Sequence, residues 1–255
     1  MEKFRAMWFD CKSLAVTFYS SIVSNNICEP IKLNFDGTKN PIILVNGSGD
    51  NKFSWSQFAS SLPKNHPVYA FTMDLSFDEN TGLQEIGMNP LSQRLYTNNK
   101  DTSVEDYANQ VTKYISYVFT IYQKPVILIG MSMGGLVVRY CETVLKNPHI
   151  CRIITLSSPH KGAPLLKYTL VKKLFSTTRH SQMTPDSDFL INEEFKVSNI
   201  DKYTTIGTLH DIHVPNDYSQ IDGVTHITIN DCGHLGITKS LLVMKFVNEI
   251  LQDCV

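Results

Sequence analysis

Along this chain, short apolar runs bounded by glycine, proline and asparagine alternate with stretches whose apolar residues recur at helical spacing. Residues 41–45, 67–72, 126–129, 150–156, 203–209 and 225–229 are β-branched or apolar runs of strand length. Between and after them lie amphipathic segments. Thr102 opens one with Glu105 as a capping box, and Val104, Tyr107, Val111, Tyr114, Ile115, Val118 and Tyr122 follow in register, which predicts a helix over 102–122. Its tyrosines fall in phase with the aliphatic residues and read as core contacts, not as a binding stripe. A second helix is expected to open at Gly135 and run toward Pro148, and a terminal helix covers about 239–251. Strands that alternate with helices in this way predict an α/β fold: a mostly parallel sheet with helices on both faces.

Three segments stand outside the alternation. Residues 1–30 read as a peripheral N-terminal helix, because 13–23 is only mildly apolar; a secretion signal is the competing reading. Residues 75–101 are polar and rich in asparagine, an excursion at the sheet edge with no visible chemistry, and 163–200 is a helical or irregular insertion.

Composition narrows the picture. With 255 residues, 42% hydrophobic and 18% charged, the chain can bury one sizeable core, and a single catalytic domain over 1–255 is expected. A formal net charge of -1 supplies no field for nucleic acid, which is discounted as a partner. No run approaches the roughly 18 apolar residues of a membrane span. The six cysteines, Cys11, Cys28, Cys141, Cys151, Cys232 and Cys254, lack metal-ligand spacing. They read as reduced thiols, which suits the cytoplasm, although a bridge such as Cys11 to Cys28 and a secreted protein remain open alternatives. No metal or cofactor is implied, and the oligomeric state is not legible.

The chemistry centres on Gly130-Met131-Ser132-Met133-Gly134, set between an apolar strand and a helix. A tight structural turn produces the same five residues, but the flanking elements are those of a nucleophile elbow, where the serine sits in a strained turn that side chains at either glycine would obstruct. Its base should come late in the chain, after the last strand. His234 in Cys232-Gly233-His234-Leu235-Gly236 stands there, whereas His149, His180 and His226 have no motif around them and His160, in Ser158-Pro159-His160-Lys161-Gly162, reads as a loop organiser. Asp211 follows the preceding strand and is the expected third member, with Asp217 as the alternative; Asp222 lies deeper in the loop. The backbone N–H groups of Met133 and Ser48 are the expected oxyanion donors, Ser48 because Gly47 and Gly49 leave room for close approach. In the insertion, Leu166, Leu170 and Leu174 belong to an imperfectly amphipathic stretch that suits either an acyl-binding cap or a helix packed on the core.

These motifs together resemble the small lipase and esterase branch of the α/β-hydrolase superfamily, over about residues 41–251. The resemblance rests on Asn46-Gly47, Gly130 to Tyr140, Ser158-Pro159-His160-Lys161-Gly162, Asp211 and Gly233-His234-Leu235-Gly236. It departs at Asn46, where many relatives carry histidine, and at Met131, where histidine often precedes the nucleophile. The resemblance implies hydrolysis of carboxylic esters, lipid acyl esters foremost, without a cofactor, and favours the acyl-binding reading of the cap. A small-molecule acyl ester or lipid is the expected partner, with room for peripheral contact with a lipid surface. A lipid acyltransferase, an acyl-thioesterase or an amidase would use the same triad, and a catalytically silent binding protein would have lost it.

Overall fold

The computed structural model describes residues 31–33, 37–50, 52–71, 77–78, 83–84, 102–168 and 177–252. The expected helix over 1–30, most of the 75–101 excursion, Leu170, Leu174 and the Cys11–Cys28 pairing lie outside the described residues. In chain order the elements are β1 (Ile31–Leu33), β2 (Ile42–Val45), α1 (Ser56–Ser61), β3 (Val68–Phe71), β4 (Phe77–Asp78), β5 (Leu83–Gln84), α2 (Val104–Tyr122), β6 (Val126–Met131), α3 (Met133–Thr143), β7 (Ile150–Leu156), α4 (Thr178–Gln182), α5 (Asp188–Ile191), β8 (Tyr203–Thr208), β9 (Thr225–Ile229) and α6 (Leu241–Gln252). Seven strands form one sheet in the order β1-β3-β2-β6-β7-β8-β9. All neighbours pair parallel except β1, which runs antiparallel to β3. Strands β4 and β5 make a separate two-stranded antiparallel pair inside the excursion.

The period of two along each strand divides its side chains between two cores. Ile42, Leu44, Ile127 and Ile129 face one side with Trp55 and Phe58 beside α1 and Val243 and Val247 of α6. Ile43, Val45, Val126 and Leu128 face the other with Val111 and Ile115 of α2 and Leu136 and Val137 of α3. With both faces covered, every residue of β2, β3 and β6 is buried, which explains why these strands read as unbroken apolar runs.

Element ends differ from expectation in ways that geometry explains. The capping box of α2 lies one residue later than predicted: the Ser103 hydroxyl accepts from the Asp106 N–H at 3.1 Å, and the Asp106 carboxylate accepts from the Ser103 N–H at 2.9 Å. Thr102 and Glu105 fit the same spacing, but they serve tertiary contacts instead, Thr102 with the Tyr107 hydroxyl and Glu105 with the Gln182 amide. Strand β6 continues two residues further than predicted because Gly130 and Met131 pair with Thr155 and Leu156 of β7. Helix α3 then starts at Met133, not Gly135, so that only Ser132 separates strand from helix.

The described part of the insertion joins the α2/α3 core. Met183 and Phe195 are buried there, Arg139 donates to the Phe195 carbonyl at 2.9 Å and lies 4.0 Å over its ring, and Gln182 accepts the first N–H of α2 from Val104 at 2.8 Å. Leu166 is partly buried against the same core.

Candidate active site

Parallel strands place all their C-terminal ends on one edge of the sheet, and the loops leaving β2, β6, β8 and β9 converge there. Ser132 occupies the one-residue turn between β6 and α3 with φ 53 and ψ -125, a backbone conformation that L side chains seldom adopt. Its N–H donates to the Leu156 carbonyl at 2.8 Å, which anchors the turn on β7. The glycines are steric requirements, though not quite as expected. A Cβ at Gly130 would lie 2.5 Å from the Gly134 carbonyl oxygen, whereas one at Gly134 would lie 2.3 Å from the Val45 carbonyl oxygen. The first glycine admits the turn and the second admits close packing of α3 on β2.

Ser132, His234 and Asp211 come together across 102 and 23 residues of chain. The His234 Nε2 lies 3.0 Å from the Ser132 Oγ, and the His234 Nδ1 lies 2.7 Å from the Asp211 Oδ2. Asp211 and His234 are buried and Ser132 is half-buried. The second carboxylate oxygen of Asp211 accepts from the N–H groups of His213 and Val214, each at 2.8 Å. With Oδ1 occupied by these backbone donors, Oδ2 is aimed at the imidazole, a constellation able to hold Nδ1–H and leave Nε2 as an acceptor facing the serine hydroxyl. Asp217 does not reach His234. It lies in the turn Asn216–Ser219, and its charge acts on His226.

Supporting contacts hold the two loops. The Thr208 hydroxyl at the end of β8 donates to the Cys232 carbonyl, two residues before His234, and the Ser240 hydroxyl bonds Asp231 at 2.8 Å on the far side of the same loop. The remaining motif histidine behaves as a loop organiser: His160 is buried, with its Nε2 2.9 Å from the Thr155 hydroxyl, and burial, followed by the Arg139 charge, holds it well below the ordinary histidine range. His226 and His180 bond Thr205 and Thr177, and His149 stacks on Phe119.

The loop after β2 packs directly on the elbow: a Cβ at Gly47 would lie 3.1 Å from the Ser132 Cβ and 3.3 Å from the Met131 sulfur. Asn46 is buried and closes this loop by donating to the Asp50 carbonyl at 2.6 Å. Gly49, at φ 72, makes the turn that follows. Ser48 sits at the crest of this loop and Met133 is the first residue of α3, so its N–H has no acceptor within the helix. A free N–H at the start of a helix beside the serine can stabilise an oxyanion.

The chain and its fold have counterparts among known proteins. A family model described as the PGAP1-like alpha/beta domain matches residues 36–241. The chain is 24% identical over 237 residues to the GPI inositol-deacylase of Kluyveromyces lactis, covering 76% of this chain and 24% of that protein. It is 28% identical over 180 residues to the GPI inositol-deacylase of Eremothecium gossypii, covering 56% and 17% respectively. The chain therefore spans less than a quarter of the length of these relatives. Among solved structures, mature lipase BlEst2 of Bacillus licheniformis superposes with a TM-score of 0.64 at 16% identity, over 86% of this chain and 94% of that one. Aspergillus fumigatus lipase B gives 0.62 at 15% identity, over 87% and 55%. The fold is that of the α/β-hydrolases.

Proposed function

The chain belongs to the PGAP1-like alpha/beta domain family, and from that premise we propose that it is a serine hydrolase that cleaves a lipid acyl ester through an acyl-enzyme on Ser132. The observation that carries this reading is the continuous chain of short contacts from Asp211 through His234 to a strained, half-buried Ser132, at 2.7 and 3.0 Å. The Ser132 Oγ attacks the ester carbonyl while its proton passes to the His234 Nε2, and Asp211 stabilises the imidazolium that results. The N–H groups of Met133 and Ser48 receive the negative charge on the carbonyl oxygen. Collapse of the tetrahedral intermediate breaks the bond to the alcohol, which leaves with the proton from His234. Water then loses a proton to the His234 Nε2 and attacks the acyl carbonyl; collapse breaks the bond to the Ser132 Oγ, which takes the proton back from His234 as the carboxylic acid leaves.

Two relatives are GPI inositol-deacylases, which favours an acyl group carried on an inositol hydroxyl of a lipid. The test uses a fluorophosphonate probe and a panel of acyl esters that includes an acylated inositol phospholipid. Labelling should map to Ser132, and Ser132→Ala should abolish labelling and lower ester turnover by at least about three orders of magnitude. Near-normal turnover in Ser132→Ala would overturn the mechanism, and a panel in which the inositol ester is the poorest substrate would overturn the substrate assignment.

A further inference from the structure

The loop 209–213, which carries Asp211, holds a second imidazole beside that of His234. His213 is exposed between the buried Asp211 and Val214, and its ring centroid lies 5.2 Å from that of His234 at an interplanar angle of 51°. Its position is fixed by the backbone, since its N–H donates to the Asp211 Oδ1 at 2.8 Å. His160, His180 and His226 each engage a threonine hydroxyl, at 2.9, 2.5 and 2.7 Å. The ring nitrogens of His213, by contrast, have no hydrogen-bond partner among the described residues. Leu209 and Ile212, 62% and 63% exposed, give the same loop an apolar flank.

We propose that His213 is a recognition residue for the leaving group, and that its imidazole hydrogen-bonds a hydroxyl adjacent to the scissile ester oxygen of a polyol ester. This rests on the acyl-enzyme reading above. The departing oxygen must take its proton from the His234 imidazole, and the His213 ring, 5.2 Å from it between centroids, belongs to a histidine of the same loop cluster that an alcohol leaving along that face would meet. A neutral imidazole carries one donor and one acceptor, the complement of a hydroxyl, which is itself both. Partial desolvation and, after it, the His234 charge hold His213 below the usual histidine range, against an opposing pull from Asp211. It is therefore neutral near pH 7, where a cationic ring would select a phosphate instead. The exposed Leu209 and Ile212 beside it suit the lipid part of an amphiphilic substrate.

The test places a 1-monoacylglycerol and the propyl ester of the same fatty acid in one vial, so that their relative consumption reports the ratio of kcat/KM values whatever fraction of the enzyme is active. His213→Ala should lower the preference for the glycerol ester by roughly two- to tenfold, the range of one neutral hydrogen bond. His213→Gln, which still donates and accepts, should recover part of it. An unchanged ratio in His213→Ala overturns this inference and leaves the acyl-enzyme reading standing. Absence of turnover together with absence of fluorophosphonate labelling at Ser132 in the native protein overturns that reading, and this inference with it.

Discussion

Asparagine and alanine at position 211 should damage the protein in opposite orders. Asp211→Asn keeps a carbonyl oxygen where Oδ1 accepts from His213 and Val214, both at 2.8 Å, and puts an NH2 group where Oδ2 lies 2.7 Å from the His234 Nδ1. That group can only donate, so the imidazole must accept at Nδ1 and carry its proton on Nε2, pointing at the Ser132 Oγ 3.0 Å away. The base is then a donor, and a tautomer reversal of this kind costs serine proteases about 10⁴ in turnover. Asp211→Ala removes the orienting carboxylate without imposing the wrong tautomer, so its turnover should stand above that of Asp211→Asn. Stability should rank the other way. Alanine leaves the buried Val214 N–H without its acceptor, at about 1–3 kcal/mol, while asparagine retains it. Initial rates with one soluble ester, paired with urea midpoints for both variants, check the crossed ranking. The argument fails if Asp211→Asn stays within tenfold of the native rate, or if alanine is the slower and the more stable of the two.

The glycine that seats α3 is testable by stability alone: Gly134→Ala forces a methyl to 2.3 Å from the Val45 carbonyl oxygen and should cost at least about 1–3 kcal/mol, read as a lower urea midpoint. Acid should destabilise the fold well above the carboxylate range. Burial and the Arg179 charge lower His180 to about 4, and burial holds His160 well below 6.5. As pH falls from about 6.5 toward 4 the unfolded chain takes up protons that the folded one refuses, so stability contributed at neutral pH is lost across that window. Urea midpoints measured from pH 7.5 to 4.5 should decline, and His180→Gln should flatten the slope; a pH-independent midpoint would refute the assignment.

How far the fold was legible depended on whether its cause was local. Strands β2, β3 and β6 are buried at every residue, so their apolar runs of four to six residues had few other readings. The start of α2 was legible only to within a residue, because Thr102 with Glu105 and Ser103 with Asp106 satisfy one spacing rule and the choice is made by Gln182 and Tyr107, 77 and 5 residues away from the groups they bind. The insertion shows the same limit. Its later part packs on α2 and α3 through Met183 and Phe195, and Arg139 donates to the Phe195 carbonyl across 56 residues of chain, a contact that no local pattern marks.

The candidate site divides along the same line. Ser132 and its glycines were legible because the elbow is a contiguous steric problem, solved within five residues. Asp211 and His234 were legible because parallel strands deliver successive loops to one edge in chain order. What orders those loops was not. Thr208 holds the carbonyl of Cys232, 24 residues on, and neither residue type nor spacing marks that contact. Asn46 looked like the loss of a histidine, yet its amide closes the loop on Asp50. His213 lies two residues from Asp211, and its ring stands 5.2 Å from that of His234, a juxtaposition that neither residue type nor spacing marks. The triad residues can be read from motifs because their chemistry restricts residue type. The residues that position them need only supply a donor or acceptor at the right place, a condition that many side chains meet and that only the folded chain specifies.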